Sequence, residues 1–319
     1  MMQLVHGGDW AGYRAQYGQD ALDFSANVSP LGLPEGVAKA ITAALATADR
    51  YPDPLCRALR AKLAVHETVP TAHILCGNGA ADLIFRLVWA AKPRTALVTA
   101  PTFAEYAAAL ESAGCAVRRH FLQAEVDFAV TDSILSSITL EVDMVFLCQP
   151  NNPTGQLTPL PLVERILRRC EACGALLVVD ECFLDFLPDC DALTAKALLD
   201  SKNLLILKAF TKLYGMAGVR LGYCLCANTA LPHWTKRPMW HRCGHSLRSS
   251  GPGSRPGCGH WACGYWTDEQ TTCCSRGRKR WAMPCGSGAW CCAAAATTPG
   301  WTAAGTAPPC VPGRKTMNC

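Results

Sequence analysis

Met144-Val145-Phe146-Leu147-Cys148-Gln149-Pro150-Asn151-Asn152-Pro153-Thr154-Gly155, followed through Leu160 to Cys173 and on to Ala175-Leu176-Leu177-Val178-Val179-Asp180-Glu181, is the stretch that decides the fold class. An unbroken apolar run closed by Gln149-Pro150 predicts a strand buried on both faces. Leu160 to Cys173 reads as an amphipathic helix with Gly174 as its stop. Ala175 to Val179 is a second buried strand, ending on Asp180.

The same alternation extends outward. Thr95 to Ala100, ending at Pro101, Leu204 to Leu207, and Arg220 to Cys226 read as further strands. Ala80 to Lys92, after the turn Gly77-Asn78-Gly79, and Ala104 to Ala113 read as helices. Short apolar strands separated by helices predict an α/β fold with a mainly parallel sheet covered on both faces. Ligands of such sheets gather at the carboxyl ends of the strands, so the polar residues there are the first candidates for chemistry.

Whole-chain totals conceal two compositions. The 319 residues carry a formal net charge of +5 and 20 Cys. Residues 233–319 hold 11 Lys and Arg against 2 Asp and Glu, a net of +9, whereas residues 1–232 hold 19 against 23, a net of −4. The last 87 residues contain one Leu (Leu247), one Val (Val311), no Ile and no Phe, yet 10 Cys and 7 Trp. That apolar content is far too small for an ordinary core. Collagen, a coiled coil and a wholly disordered chain are excluded by the totals.

The first ten residues have no basic and apolar leader pattern, and no run approaches the length of a membrane span, so a cytoplasmic protein is expected. The ten Cys of residues 1–232 are scattered, mostly inside apolar runs, and read as buried reduced thiols. Cys170-Glu171-Ala172-Cys173 sits in the helical pattern without a second pair, so no metal site is expected there.

Five features fall at strand ends: Gly77-Asn78-Gly79-Ala80, Pro101-Thr102-Phe103, Asn151-Asn152-Pro153-Thr154-Gly155, Asp180-Glu181, and Thr211-Lys212 with Arg220 eight residues on. In this order, and with Asp180-Glu181-Cys182-Phe183-Leu184-Asp185-Phe186 and Phe210 to Gly222 around them, residues 5–230 resemble the fold-type I pyridoxal-phosphate enzymes of the class I/II aminotransferase superfamily. The resemblance implies a large domain with a mainly parallel seven-stranded sheet. It also implies pyridoxal 5'-phosphate as cofactor and a homodimer with shared sites.

Residue roles follow from that resemblance. Lys212 is the amine that binds the cofactor covalently, and Asp180 faces the pyridine nitrogen and keeps it protonated. Asn152 meets the ring's phenolic oxygen, and Phe103 stacks on the ring. Gly79 and Ala80 offer backbone N–H groups to the phosphate, with Arg220 as its cation. Tyr51, in Tyr51-Pro52-Asp53-Pro54, reaches the phosphate of a neighbouring subunit. Two departures stand out. Phe183 replaces a Tyr common in the group, and Ala209 replaces a common phosphate-binding Ser.

His6-Gly7-Gly8-Asp9 and Asp23-Phe24-Ser25-Ala26-Asn27-Val28-Ser29-Pro30-Leu31-Gly32 look most like the threonine-phosphate decarboxylases of cobalamin biosynthesis, close relatives of the histidinol-phosphate aminotransferases. The likeness implies that His6, Gly7, Gly8, Asn27 and Asn152 contact a phosphorylated amino-acid substrate. Decarboxylation of L-threonine O-3-phosphate to (R)-1-aminopropan-2-yl phosphate is the expected activity. A histidinol-phosphate-type aminotransferase and an inactive remnant are the alternatives.

The expected organisation is an N-terminal arm over 1–45, a cofactor-binding large domain over 46–232 and an anomalous tail over 233–319, with the family's small C-terminal domain not formed. A metal module on Cys258, His260, Cys263, Cys273 and Cys274 fits no standard spacing, and only charge favours a nucleic-acid tail. No nucleic-acid or membrane partner is expected. The composition instead suits GC-rich DNA read out of frame. Advancing the frame by one base from Leu247 to Cys258 allows Ser-Val-x-Pro-Ala-Gln-Ala-Ala-Gly-Leu-Ala-Ala, similar to the family segment due at that point. In that frame Met317-Asn318 forces a TGA stop.

Overall fold

Seven segments pair into one sheet: β1 (Ile74–Gly77), β2 (Thr95–Ala100), β3 (Ala116–Phe121), β4 (Met144–Cys148), β5 (Leu176–Asp180), β6 (Leu204–Ala209) and β7 (Gly222–Cys226). The structure is a computed structural model that describes residues 8–227. Strand order is β1-β7-β6-β5-β4-β2-β3. Only β7 runs against its neighbours, pairing antiparallel with both β1 and β6, while the other pairs are parallel. The mainly parallel seven-stranded sheet expected from the sequence is the one observed.

Helices α1 (Trp10–Tyr17), α2 (Glu35–Ala44) and α3 (Arg57–Glu67) precede the sheet; α4 (Ala80–Ala91), α5 (Ala104–Ser112), the short α6 (Ile134–Ser137) and α7 (Leu160–Cys173) connect or follow its strands. Successive strand residues face opposite ways, so one apolar run feeds two cores. Val145, Leu147, Leu177, Val179, Leu204 and Ile206 meet Val163, Ile166 and Leu167 of α7. Phe146, Val178, Leu205 and Leu207 meet Leu83, Ile84 and Leu87 of α4 and Leu110 of α5. This double burial is why β4 to β6 read as continuous apolar runs rather than alternating ones.

The strand expected from Arg220 begins two residues later. Arg220 is left-handed (φ 58°) and closes the turn Ala217–Val219. Gly222 opens β7 because a Cβ there would lie 2.8 Å from the Gly79 carbonyl carbon and 2.9 Å from the Ala80 nitrogen. The sheet is thereby pressed against the start of α4. The four-residue β1 and the edge strand β3, with its exposed Arg118 and Arg119, gave no apolar run to detect.

Residues 10–55 are only loosely packed. Neither α1 nor α2 buries a residue, and Leu22, Phe24 and Leu31 are exposed. The segment is anchored to the sheet at Ser29, whose N–H donates to the Lys212 carbonyl at 3.0 Å. A Cβ on Gly215 would come within 2.4 Å of the Gly32 carbonyl oxygen, so this contact needs glycine. The expected tail, its metal and nucleic-acid readings, the unformed small domain and the boundary at 232 all lie outside the described residues. No described helix is long and apolar enough to cross a membrane.

Candidate active site

The carboxyl ends of β4, β5 and β6 and the start of α4 bring the expected residues together. Asp180 ends β5 and is buried. Its Oδ2 accepts the Tyr106 hydroxyl at 2.7 Å and its Oδ1 accepts the Cys182 N–H at 3.0 Å, so the carboxylate has little freedom to turn. Tyr106 is itself held by stacking on Phe146 (centroids 4.8 Å apart) and by an edge contact with Phe103 at 5.5 Å. Burial pushes the Cys148 thiol, opposite Asp180 across the β4–β5 ladder, up to about 12. Burial likewise raises Cys182, so both thiols stay protonated beside the carboxylate.

Asn151 and Asn152 take different parts. Asn151 is buried and joins two strand-end loops: its Nδ2 donates to the Pro101 carbonyl (3.1 Å) and to Thr154 Oγ1 (2.9 Å), and its Oδ1 accepts from Thr102 (2.9 Å). Asn152 is half-buried, and its N–H points to Cys148 Sγ at 3.4 Å. Gln149-Pro150 and Asn152-Pro153 are both cis.

Lys212 follows β6 on a short loop and is half-buried. Its Nζ lies 5.3 Å from the centroid of the Phe183 ring, within reach of a cation–π contact. Arg220 lies over the start of α4. Its Nη2 would be 2.8 Å from a Cβ on Gly79, and its Nη1 donates to the Ala217 carbonyl at 3.2 Å. Gly79 caps α4 at φ 85° without any side-chain bond to the helix. The first-turn N–H groups of a helix have no partner within it. With an Arg beside them they form a cradle for a doubly charged phosphate.

Gly79→Ala should therefore act twice. The φ is one an L-residue rarely adopts, and the new methyl displaces the Arg220 guanidinium. We expect a loss of about 1–3 kcal/mol in urea unfolding, with weakened binding of inorganic phosphate.

Asn27 is exposed, two residues from the Ser29 anchor on the Lys212 loop, and Gly8 donates to Ser25 Oγ at 2.9 Å in the same segment. His6 and Gly7 lie outside the described residues. Tyr51 is 100% exposed and touches none of this site's residues on its own protomer. Residue reasoning missed Tyr106 and Asn151. A lone Tyr in the alanine-rich run Ala104 to Ala109 was the available signal for the first, and the doubled Asn for the second.

Glu181, next to Asp180, faces the opposite side of β5. It is fully buried, accepts from Thr194 Oγ1 and the Ala195 N–H at 2.7 Å each, and burial pushes its carboxyl up to about 7. An acid raised from its ordinary 4.5 contributes stability that is intact below 4.5 and is lost as pH rises through about 7. Glu181→Gln should flatten that fall, and urea midpoints measured between these two pH values check it. Among the described residues no group of three or more His, Cys, Asp or Glu could hold a metal ion.

A mainly parallel sheet carrying a buried carboxylate, a lysine and an anion cradle at its strand ends defines an α/β enzyme domain built around a phosphorylated ligand. The chain belongs to the aminotransferase class I and II family, whose model matches residues 19–249. It is 42% identical over 209 residues to the threonine-phosphate decarboxylase of Salmonella typhimurium, covering 66% of this chain and 57% of the relative. It resembles the crystal structure of the histidinol-phosphate aminotransferase from Clostridium acetobutylicum, with a TM-score of 0.62 and 26% identity over 68% of this chain and 65% of that one. The histidinol-phosphate aminotransferase of Sinorhizobium meliloti, solved in complex with pyridoxal-5'-phosphate, shares the fold with a TM-score of 0.63 and 24% identity over 74% of this chain and 64% of that one. The chain spans little more than half the length of the curated relatives it matches.

Proposed function

We propose that this chain binds pyridoxal 5'-phosphate at the strand-end site and that, with its reading frame restored, it decarboxylates L-threonine O-3-phosphate to (R)-1-aminopropan-2-yl phosphate, as a step of cobalamin biosynthesis in the cytoplasm. The 42% identity over 209 residues to a threonine-phosphate decarboxylase carries the choice of substrate. Asp180 at the end of β5, Lys212 in the loop after the neighbouring β6 and Arg220 beside the start of α4 support the cofactor.

When bound, the cofactor supplies an electron sink for the electron pair of the bond that breaks at Cα. Asp180, fixed by Tyr106 and the Cys182 amide, holds a proton at the ring nitrogen by charge. Lys212 would hold the cofactor through its amine, and the same amine would be placed to return a proton to Cα. Gly79 and Ala80 amides with the Arg220 guanidinium hold the phosphate. Phe103 would stack on the ring, and Asn152 would donate to its phenolic oxygen. Gly8 and Asn27 would contact the substrate, as would His6 and Gly7, which lie outside the described residues. Tyr51, wholly exposed on its own protomer, reaches the phosphate in a second copy, so the active form is a homodimer.

A histidinol-phosphate-type aminotransferase is the second reading, favoured by the fold neighbour at 26% identity. Incubation of the frame-corrected protein with the cofactor and L-threonine phosphate separates them. Release of CO2 with a phosphorylated amine supports the lyase. A reaction that needs 2-oxoglutarate and releases no CO2 supports the transferase. Neither product would indicate an inactive remnant.

A further inference from the structure

Behind Lys212, on the face of the sheet covered by α3 and α7, lies a charge cluster that the proposed chemistry does not use. Lys208 of β6, with a side chain only 9% exposed, meets Asp185 Oδ1 at 3.0 Å and Glu67 Oε1 at 3.6 Å. Glu67, the last residue of α3, also accepts Lys196 Nζ at 3.0 Å and the Tyr223 hydroxyl. Burial works to raise the Glu67 carboxyl, but Lys208, Tyr223 and Lys196 outweigh it and hold it below its usual range, so the cluster is ionised.

Buried charges of this kind are often less stabilising than apolar residues of equal volume, so core packing alone does not account for them. Their geometry suggests a different use. Lys208 lies four residues before Lys212 on the same strand and loop. Asp185 lies two residues after Phe183, in the single turn Leu184–Phe186. Phe183 stacks on Phe186 at 6.3 Å and presents its ring to Lys212 Nζ at 5.3 Å. One ammonium thus ties the strand that carries Lys212 to the turn that carries the ring facing it.

We infer that Lys208 is a positioning residue: through Asp185 it holds the Phe183 ring against the Lys212 ammonium. The inference deepens, and rests on, the reading of Lys212 as the amine that takes the cofactor. Its test does not need the cofactor. The full chain is acetylated with limiting N-hydroxysuccinimidyl acetate, and the rate at each lysine is read by mass spectrometry, with the exposed Lys39 as internal standard. Asp185→Asn is expected to speed acetylation of Lys212 about tenfold relative to Lys39, the size of one lost hydrogen bond to a charged group. Lys208→Met should do the same, and Lys208→Arg should keep the wild-type rate. Asp185 is partly exposed, so Asp185→Asn decides the matter if Lys208→Met fails to fold. An unchanged Lys212 rate in Asp185→Asn overturns the inference. So does a rise accompanied by faster hydrogen exchange throughout β4 and β5, which would mark a purely structural role. A visible band on adding pyridoxal phosphate to the wild type, lost in Lys212→Ala, tests the underlying reading separately, and its absence would leave the acetylation result standing.

Discussion

In the frame-corrected protein, Lys212→Ala is expected to remove the visible absorption of the bound cofactor and to lower kcat/KM by about 10³-fold or more, since both covalent attachment and proton return at Cα are lost. Among the described residues neither Lys208 nor Lys196 can substitute. Lys208 points to the other face of the sheet, locked between Glu67 and Asp185, and Lys196 is committed to Glu67. Asp180, Tyr106 and the α4 cradle are untouched by the substitution, so the variant should still bind cofactor through its phosphate, more weakly and without the band. Absorption spectra and cofactor titration of the two proteins check this. A variant that kept the wild-type band would place the attachment elsewhere and overturn the assignment.

Restoring the reading frame before codon 247 should have a comparable effect, turning an inactive or unstable chain into an active decarboxylase. Residues 233–319 offer one Leu and one Val with which to build a domain, against a net charge of +9. The 42% identical match covers 57% of its relative. In the family, Arg residues that hold the substrate's carboxylate and phosphate belong to the C-terminal part. Those contacts decide which Cα bond stands perpendicular to the cofactor ring. Expression of the frame-corrected gene beside the chain as it stands, with L-threonine phosphate turnover as the readout, checks the expectation. Turnover by the unaltered chain would refute it, and independent resequencing that kept the same frame would remove its premise.

The exposed apolar residues of the first 55 positions fit the same account. Leu22, Phe24, Leu31 and Tyr51 stand in water in an isolated protomer. Surfaces of this kind are where a protein meets a further domain or a second copy. The dimer proposed above would cover part of them, and sedimentation of the frame-corrected protein would report it.

Some of this was readable in the sequence because the physical signal was local. Strands β4, β5 and β6 are buried on both faces, so each reads as a run of four or five apolar residues, and polar residues near the strand ends are the candidates for the site. Asp180 ends such a run, whereas Lys212, Asn152 and the Gly79 turn were singled out by the family resemblance together with their places near strand ends. Strands β1 and β3 escaped because one is four residues long and the other is a polar edge. The start of β7 was misplaced because Arg220, flanked by apolar residues, reads as strand, although its backbone is left-handed.

By itself, then, the sequence determined the α/β class, the strand-end residues and the break in composition near residue 232, since each depends on spacing and residue type along the chain. Only the tertiary structure decided what holds those residues. Tyr106 reaches Asp180 across 74 positions, Lys196 reaches Glu67 across 129 and Tyr223 reaches it across 156. Such contacts leave no periodicity in the chain. They exist because the sheet order brings distant segments side by side, where a buried polar group must find its partner or bear the cost of desolvation.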